Sequence, residues 1–162
     1  MAEDWRLPRV GTAEDPLRLA VFISGSGSGM EALLQHQQTP GCKHTTAVVI
    51  SDKPDVSGLN KAENLGVSAI VVPLPDISDK VERRLIHEQE VGEVLADYGV
   101  EAIILSGYMR ILTPSFVEQW AGRILNIHPS LLPKYKGLHA IEQALDSGDD
   151  VTGVSVHYVN EE

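Results

Sequence analysis

Short, almost wholly apolar runs alternate with helix-like stretches along this chain, and few folds accommodate that rhythm. "LRLAVFIS" (residues 17–24), "TTAVVIS" (45–51), "AIVVP" (69–73), "EAIIL" (101–105) and "RILNIH" (123–128) lack the polar spacing of a half-exposed strand. Runs of this kind are buried on both faces, as strands of a parallel sheet are. Between them lie "MEALLQHQQ", "SGLNKAENLG", the long "DKVERRLIHEQEVGEVLADYG" and "PSFVEQW", whose Pro114 suits a first helical position. After a further helix-like stretch, "GLHAIEQALDSG", comes "GVSVHYV" (153–159), which alternates and reads as a more exposed strand. The expectation is an α/β fold, Rossmann-like, with a mostly parallel sheet and helices on both faces. Ligands then gather at the carboxyl ends of the strands.

At 162 residues and 43% apolar content, one domain is expected, beginning near Leu17. The polar, proline-bearing residues 1–16 read as a flexible extension. A formal net charge of -10 argues against nucleic acid or anionic membrane as a partner, so an anionic ligand must be held by local groups. No apolar stretch approaches the roughly 18 residues of a membrane span, and the acidic start does not resemble an export signal. The single cysteine, Cys42, suits a reducing cytoplasm and reads as a small packed side chain.

Two short segments carry chemistry. "SGSGSG" (24–29) joins the first strand to the first helix, where glycines admit a ligand close to the backbone and helix-start amides favour an anion. It is neither a Walker loop nor a full dinucleotide fingerprint, because Met30 stands where the third glycine belongs. Asp52, ending the second strand, leaves a ribose-binding role open, and "GSGSG" has the letters of a hydrolase nucleophile turn. In "RILNIH" an extended backbone points Asn126 and His128 to the same side. Together an amide and a titratable imidazole can hold the oxygen of a tetrahedral acyl-transfer intermediate, although capping a strand end is the plainer use of both. His36, His44, His87, His139 and His157 lack ligand spacing such as H-E-x-x-H, and no cysteine cluster accompanies them, so no metal is expected.

"NIHPSLLPKYKGLHAIEQAL" closely resembles the signature of the phosphoribosylglycinamide formyltransferases, folate-dependent enzymes of purine synthesis. The resemblance extends to "VFISGSGSGMEALL", "ISDKPDVSGLNKAENLGV" and "AIILSGYMRILTPSFVEQWAGRILN", and so from about Leu17 to the last residue. It implies the formyltransferase fold over 17–162 and transfer of the formyl group of 10-formyltetrahydrofolate to the amine of glycinamide ribonucleotide. By it, Asn126 and His128 are catalytic, Gly27, Ser28 and Gly29 hold the ribonucleotide phosphate, and Met109, Arg110, Ile111 and Leu112, with Asn126, line the folate pocket. It implies small-molecule partners only, a monomer or homodimer, and cytoplasmic work. The chain departs from the family in two places. Ser78 stands near the position where some relatives have a folate-contacting arginine. The family's catalytic aspartate falls beyond Glu162, so the C-terminal end of the domain is expected to be lacking. Deformylases of the same folate share the Asn/His logic without "SLLPKYKGLH"; a non-catalytic phosphosugar-binding module is the alternative from another class.

Overall fold

The computed structural model of the chain describes residues 7–110, 112–127 and a final strand at 156–158. In chain order the elements are β1 (Leu17–Ile23), α1 (Ser28–Gln37), β2 (His44–Ser51), α2 (Ser57–Asn64), β3 (Ser68–Val71), α3 (Lys80–Asp97), β4 (Ala102–Ser106), α4 (Pro114–Gln119), β5 (Ile124–Ile127) and β6 (Val156–Tyr158). They build one six-stranded sheet in the order β3-β2-β1-β4-β5-β6. β1 to β5 run parallel, and β6 pairs antiparallel with β5 at the edge, with Asn126 opposite His157. The mostly parallel α/β arrangement expected from the apolar runs is the one observed.

Alternating side chains of the central strands feed two separate cores. Leu19, Val21 and Ile23 of β1 pack with Met30, Leu33 and Leu34 of α1 and Ala62 of α2. Ala20 and Phe22 pack on the other side with Val91 and Leu95 of α3 and Phe116 of α4. Helices therefore cover both faces, and β1, with five consecutive residues at 0% exposure from Leu19 to Ile23, lies at the centre of both cores. Caps set where the later helices begin. Asp79 accepts from the amides of Val81 and Glu82 to start α3, and Thr113 accepts from that of Phe116 just before Pro114 opens α4.

The chain builds outward from β1 through β2 to β3, then crosses back so that β4 lies on the other side of β1. This reversal creates a switch point between the carboxyl ends of β1 and β4, where α/β proteins place their ligands.

Two contacts were not foreseen. Within the described part of residues 1–16, Arg9 reaches the domain: its Nε donates to Glu101 Oε2 at 2.7 Å and a second guanidinium nitrogen donates to Glu101 Oε1 at 3.0 Å. Nor does Cys42 stand apart from the histidines. The turn between α1 and β2 carries its Sγ to 3.7 Å from His44 Nε2 and folds His36 over the same spot.

Candidate active site

The glycine turn leaves β1 at the switch point. Gly27 caps α1 with φ 65°, a left-handed conformation that favours glycine, and contributes no side-chain acceptor to the helix start. Glu31 closes back onto it, its amide N–H donating to the Gly27 carbonyl at 2.8 Å. The amides of Ser28, Gly29 and Met30 thus precede the first helical bond, the arrangement that receives anions. Behind the turn α2 comes unusually close: a Cβ on Gly58 would stand 2.8 Å from the Gly25 carbonyl oxygen and 2.5 Å from Ile23 Cδ1.

Beside the turn, three strand ends are fastened together by polar groups. Ser24 Oγ donates to Asp52 Oδ1 at 2.6 Å, and the amide of Met109 donates back to Ser24 Oγ at 2.9 Å. Arg110 Nε donates to Asp52 Oδ2 at 2.7 Å. Asp52 has a fully buried side chain, while Arg110 is 40% exposed. Burial works against the carboxylate's charge, but the bonds from Ser24 and Arg110, with the guanidinium's charge, outweigh it and hold its pKa below the ordinary value. Both oxygens are therefore engaged within the protein. This corrects the ribose-binding role left open for Asp52, and Ser24, bonded to a carboxylate and an amide, has no imidazole beside it among the described residues.

On the α3/α4 face a cavity of about 140 Å³ opens next to this knot. Its floor is aromatic: Phe22 meets Tyr108 edge-on with centroids 5.2 Å apart and Phe116 at 6.5 Å. Burial, and secondarily Asp52, pushes the Tyr108 hydroxyl's pKa up, so it remains a neutral donor. Its walls include Met109, Arg110 and Leu112 from the segment after β4, and Arg83, Arg84, His87 and Glu88 from α3. His87 donates to the Val72 carbonyl at 2.7 Å, and Glu88 accepts from the amide of Thr113 at 2.8 Å and from its hydroxyl. The nearby histidine and carboxylate thus hold structure in place. Arg83 Nε is buried without a hydrogen-bond partner among the described residues. With Arg110 paired to Asp52, Arg83 and Arg84 against Glu88 leave this cavity cationic in a chain of net charge -10.

The expected site residues fall as follows. Gly27, Ser28 and Gly29 form the start of α1. Met109, Arg110 and Leu112 line the cavity. Asn126 lies on β5 opposite Leu105 of β4, and since Ile124 packs into the α3/α4 core while Leu125 packs into the other, alternation turns Asn126 to the cavity's side of the sheet. Ile111 and His128 lie outside the described residues. Ser78, which stood where an arginine was sought, precedes α3; Arg83 and Arg84, one turn into that helix, are the cavity's cations. Their signal was present as spacing, because residues 83, 84, 87, 88 and 91 repeat on one helical face.

Residues 17–162 match the formyl transferase family. The chain belongs to that family. It is 42% identical to the phosphoribosylglycinamide formyltransferase of Escherichia coli over 148 residues, covering 90% of this chain and 67% of that protein. The human trifunctional purine biosynthetic protein adenosine-3 is 42% identical over 145 residues, covering 90% of this chain and 14% of its own length. Among solved structures, the phosphoribosylglycinamide formyltransferase of Brucella melitensis superposes with a TM-score of 0.71 at 42% identity, over 91% of this chain and 74% of that one. This formyl transferase therefore spans about two thirds of the bacterial relative's length and a small part of the animal one. Among its described residues no helix is long and apolar enough to cross a membrane.

Proposed function

We propose that the protein transfers the formyl group of 10-formyltetrahydrofolate to the amine of glycinamide ribonucleotide, a step of purine synthesis. The observation that carries this is the convergence of three things at neighbouring strand ends: an uncapped helix start after β1, an arginine-lined cavity after β4, and Asn126 on the cavity's side of β5. The first suits a phosphate, the second a flat heteroaromatic ligand with an anionic tail, and the third a carbonyl passing between them. Similarity to the E. coli protein supports the same assignment.

In this mechanism the substrate amine attacks the formyl carbon, forming a carbon–nitrogen bond and a tetrahedral oxyanion. Asn126 and protonated His128 donate to that oxygen. The bond to the folate nitrogen then breaks, that nitrogen gains a proton, and the new amide nitrogen gives one up to solvent. No covalent enzyme intermediate is needed and no metal takes part. Gly27, Ser28 and Gly29 hold the phosphate, while Met109 to Leu112 present backbone groups to the pterin. Arg83 and Arg84 offer counter-charge to the tail carboxylates.

Assay of the full chain with the formyl donor, in the presence and absence of glycinamide ribonucleotide, tests the reading. Release of tetrahydrofolate only when the ribonucleotide is present supports transfer. Formate release without it identifies a deformylase, and neither outcome identifies a binding module. Asn126→Ala and His128→Ala should each lower turnover by on the order of 100-fold or more with folding intact; near-normal turnover in both removes the pair from the chemistry.

A further inference from the structure

Three side chains of metal-binding type meet at the end of the sheet opposite the proposed chemistry. β2 begins at His44 and ends at Ser51, so roughly 25 Å of extended chain separates this spot from Asp52. His36 belongs to the last turn of α1, and His44 opens β2. A tight turn between them, with the Cys42 amide donating to the Thr39 carbonyl at 3.2 Å and Gly41 at φ 83°, sets the thiol against the second histidine.

Cys42 Sγ lies 3.7 Å from His44 Nε2, and one ligand atom from each of His36, Cys42 and His44 lies within 4.8 Å of the other two. Tetrahedral zinc with two imidazoles and a thiolate needs donors about 3.3–3.6 Å apart, given its bond lengths. The cysteine–histidine pair is already close to that spacing. The remaining closure falls to His36, whose half-buried ring stacks on His44 with centroids 6.0 Å apart.

The surroundings suit a cation. The negative end of the α1 dipole points at the cluster. Gln37 Nε2 sits 3.0 Å from His44 Nδ1, and Thr46 Oγ1 sits 2.8 Å from Gln37 Oε1. Turning the amide over and rotating the hydroxyl lets Gln37 accept from Nδ1–H, which leaves Nε2, the nitrogen nearer Cys42 Sγ, as the ligating one. An outer partner of this sort fixes the tautomer of a ligating histidine.

We propose that His36, Cys42 and His44 form a zinc(II) site, with Gln37 orienting His44 and the fourth position open to water. Zinc there clamps the end of α1 to the start of β2. Metal-free full-length chain titrated with zinc(II) against a competing chelator should bind one equivalent. Cobalt(II) in its place should give a thiolate-to-cobalt charge-transfer band. Cys42→Ser and His36→Asn, both at half-buried positions, should lose stoichiometric binding, and Gln37→Ala should weaken it about 10–100-fold. All three should leave formyl transfer in metal-free buffer unchanged. Absence of the cobalt thiolate band in the unaltered chain overturns the site irrespective of how any variant folds. So does zinc binding that survives both Cys42→Ser and His36→Asn, which marks adventitious metal.

Discussion

Asp52 shows how one residue's role depends on neighbours far away in sequence. Its two oxygens bind Ser24 and Arg110, and through Ser24 it also fixes the amide of Met109. Arg110→Ala should leave a buried carboxylate with one partner fewer, at a cost of about 1–3 kcal/mol in urea unfolding, and should raise KM for the formyl donor more than it lowers kcat. An unchanged KM would show that the segment after β4 keeps its position without this tie. The sign of the pH effect follows from the lowered pKa. Asp52 lends stability above its unfolded pKa of about 3.9, and this is lost as pH falls through the lower folded value. The stability gap between the natural chain and Asp52→Asn should accordingly shrink below about pH 4, as followed by denaturant titration at several pH values. The sequence displayed Asp52 as an acid ending a strand. It could not display the partners, because residues 24, 52 and 110 become neighbours only when three strand ends are aligned by the sheet.

Among the elements, α2 packs tightly against the glycine turn. Gly58→Ala places a methyl against the Gly25 carbonyl, which cannot move without disturbing the turn. A loss of about 1–3 kcal/mol is expected from overpacking, together with weaker binding of the ribonucleotide by calorimetry. Full ribonucleotide affinity in a destabilised Gly58→Ala chain would separate the turn from phosphate binding. Strands and long helices were legible because their signals are local: apolar runs marked β1 to β5, and Pro114 marked the start of α4. The cationic face of α3 was equally local in its spacing, yet it took the position of the cavity to distinguish Arg83 and Arg84 from ordinary solvent-facing arginines. The same limit hid the His36, Cys42 and His44 cluster, whose spacing matches no familiar metal motif and whose meeting depends on how one short turn bends.

For the whole molecule, the alternation of runs conveyed the layered architecture, while strand order depends on a crossover that sequence patterning leaves open. That crossover has a consequence for how the chain acquires its shape. β1 sits at the centre, but its two neighbours arrive at very different times: β2 follows almost at once, whereas the segment beside Arg18 on the other flank lies 83 residues further on. Closing so large a loop is entropically slow, so the β1–β2–β3 half should acquire amide protection first in pulse-labelled refolding, with β4 and β5 protected in a later phase. Simultaneous protection across all five parallel strands would refute that order. During synthesis, therefore, β1 waits with one flank bare until the ribosome has delivered the far side, and in that interval its apolar edge is open to other chains.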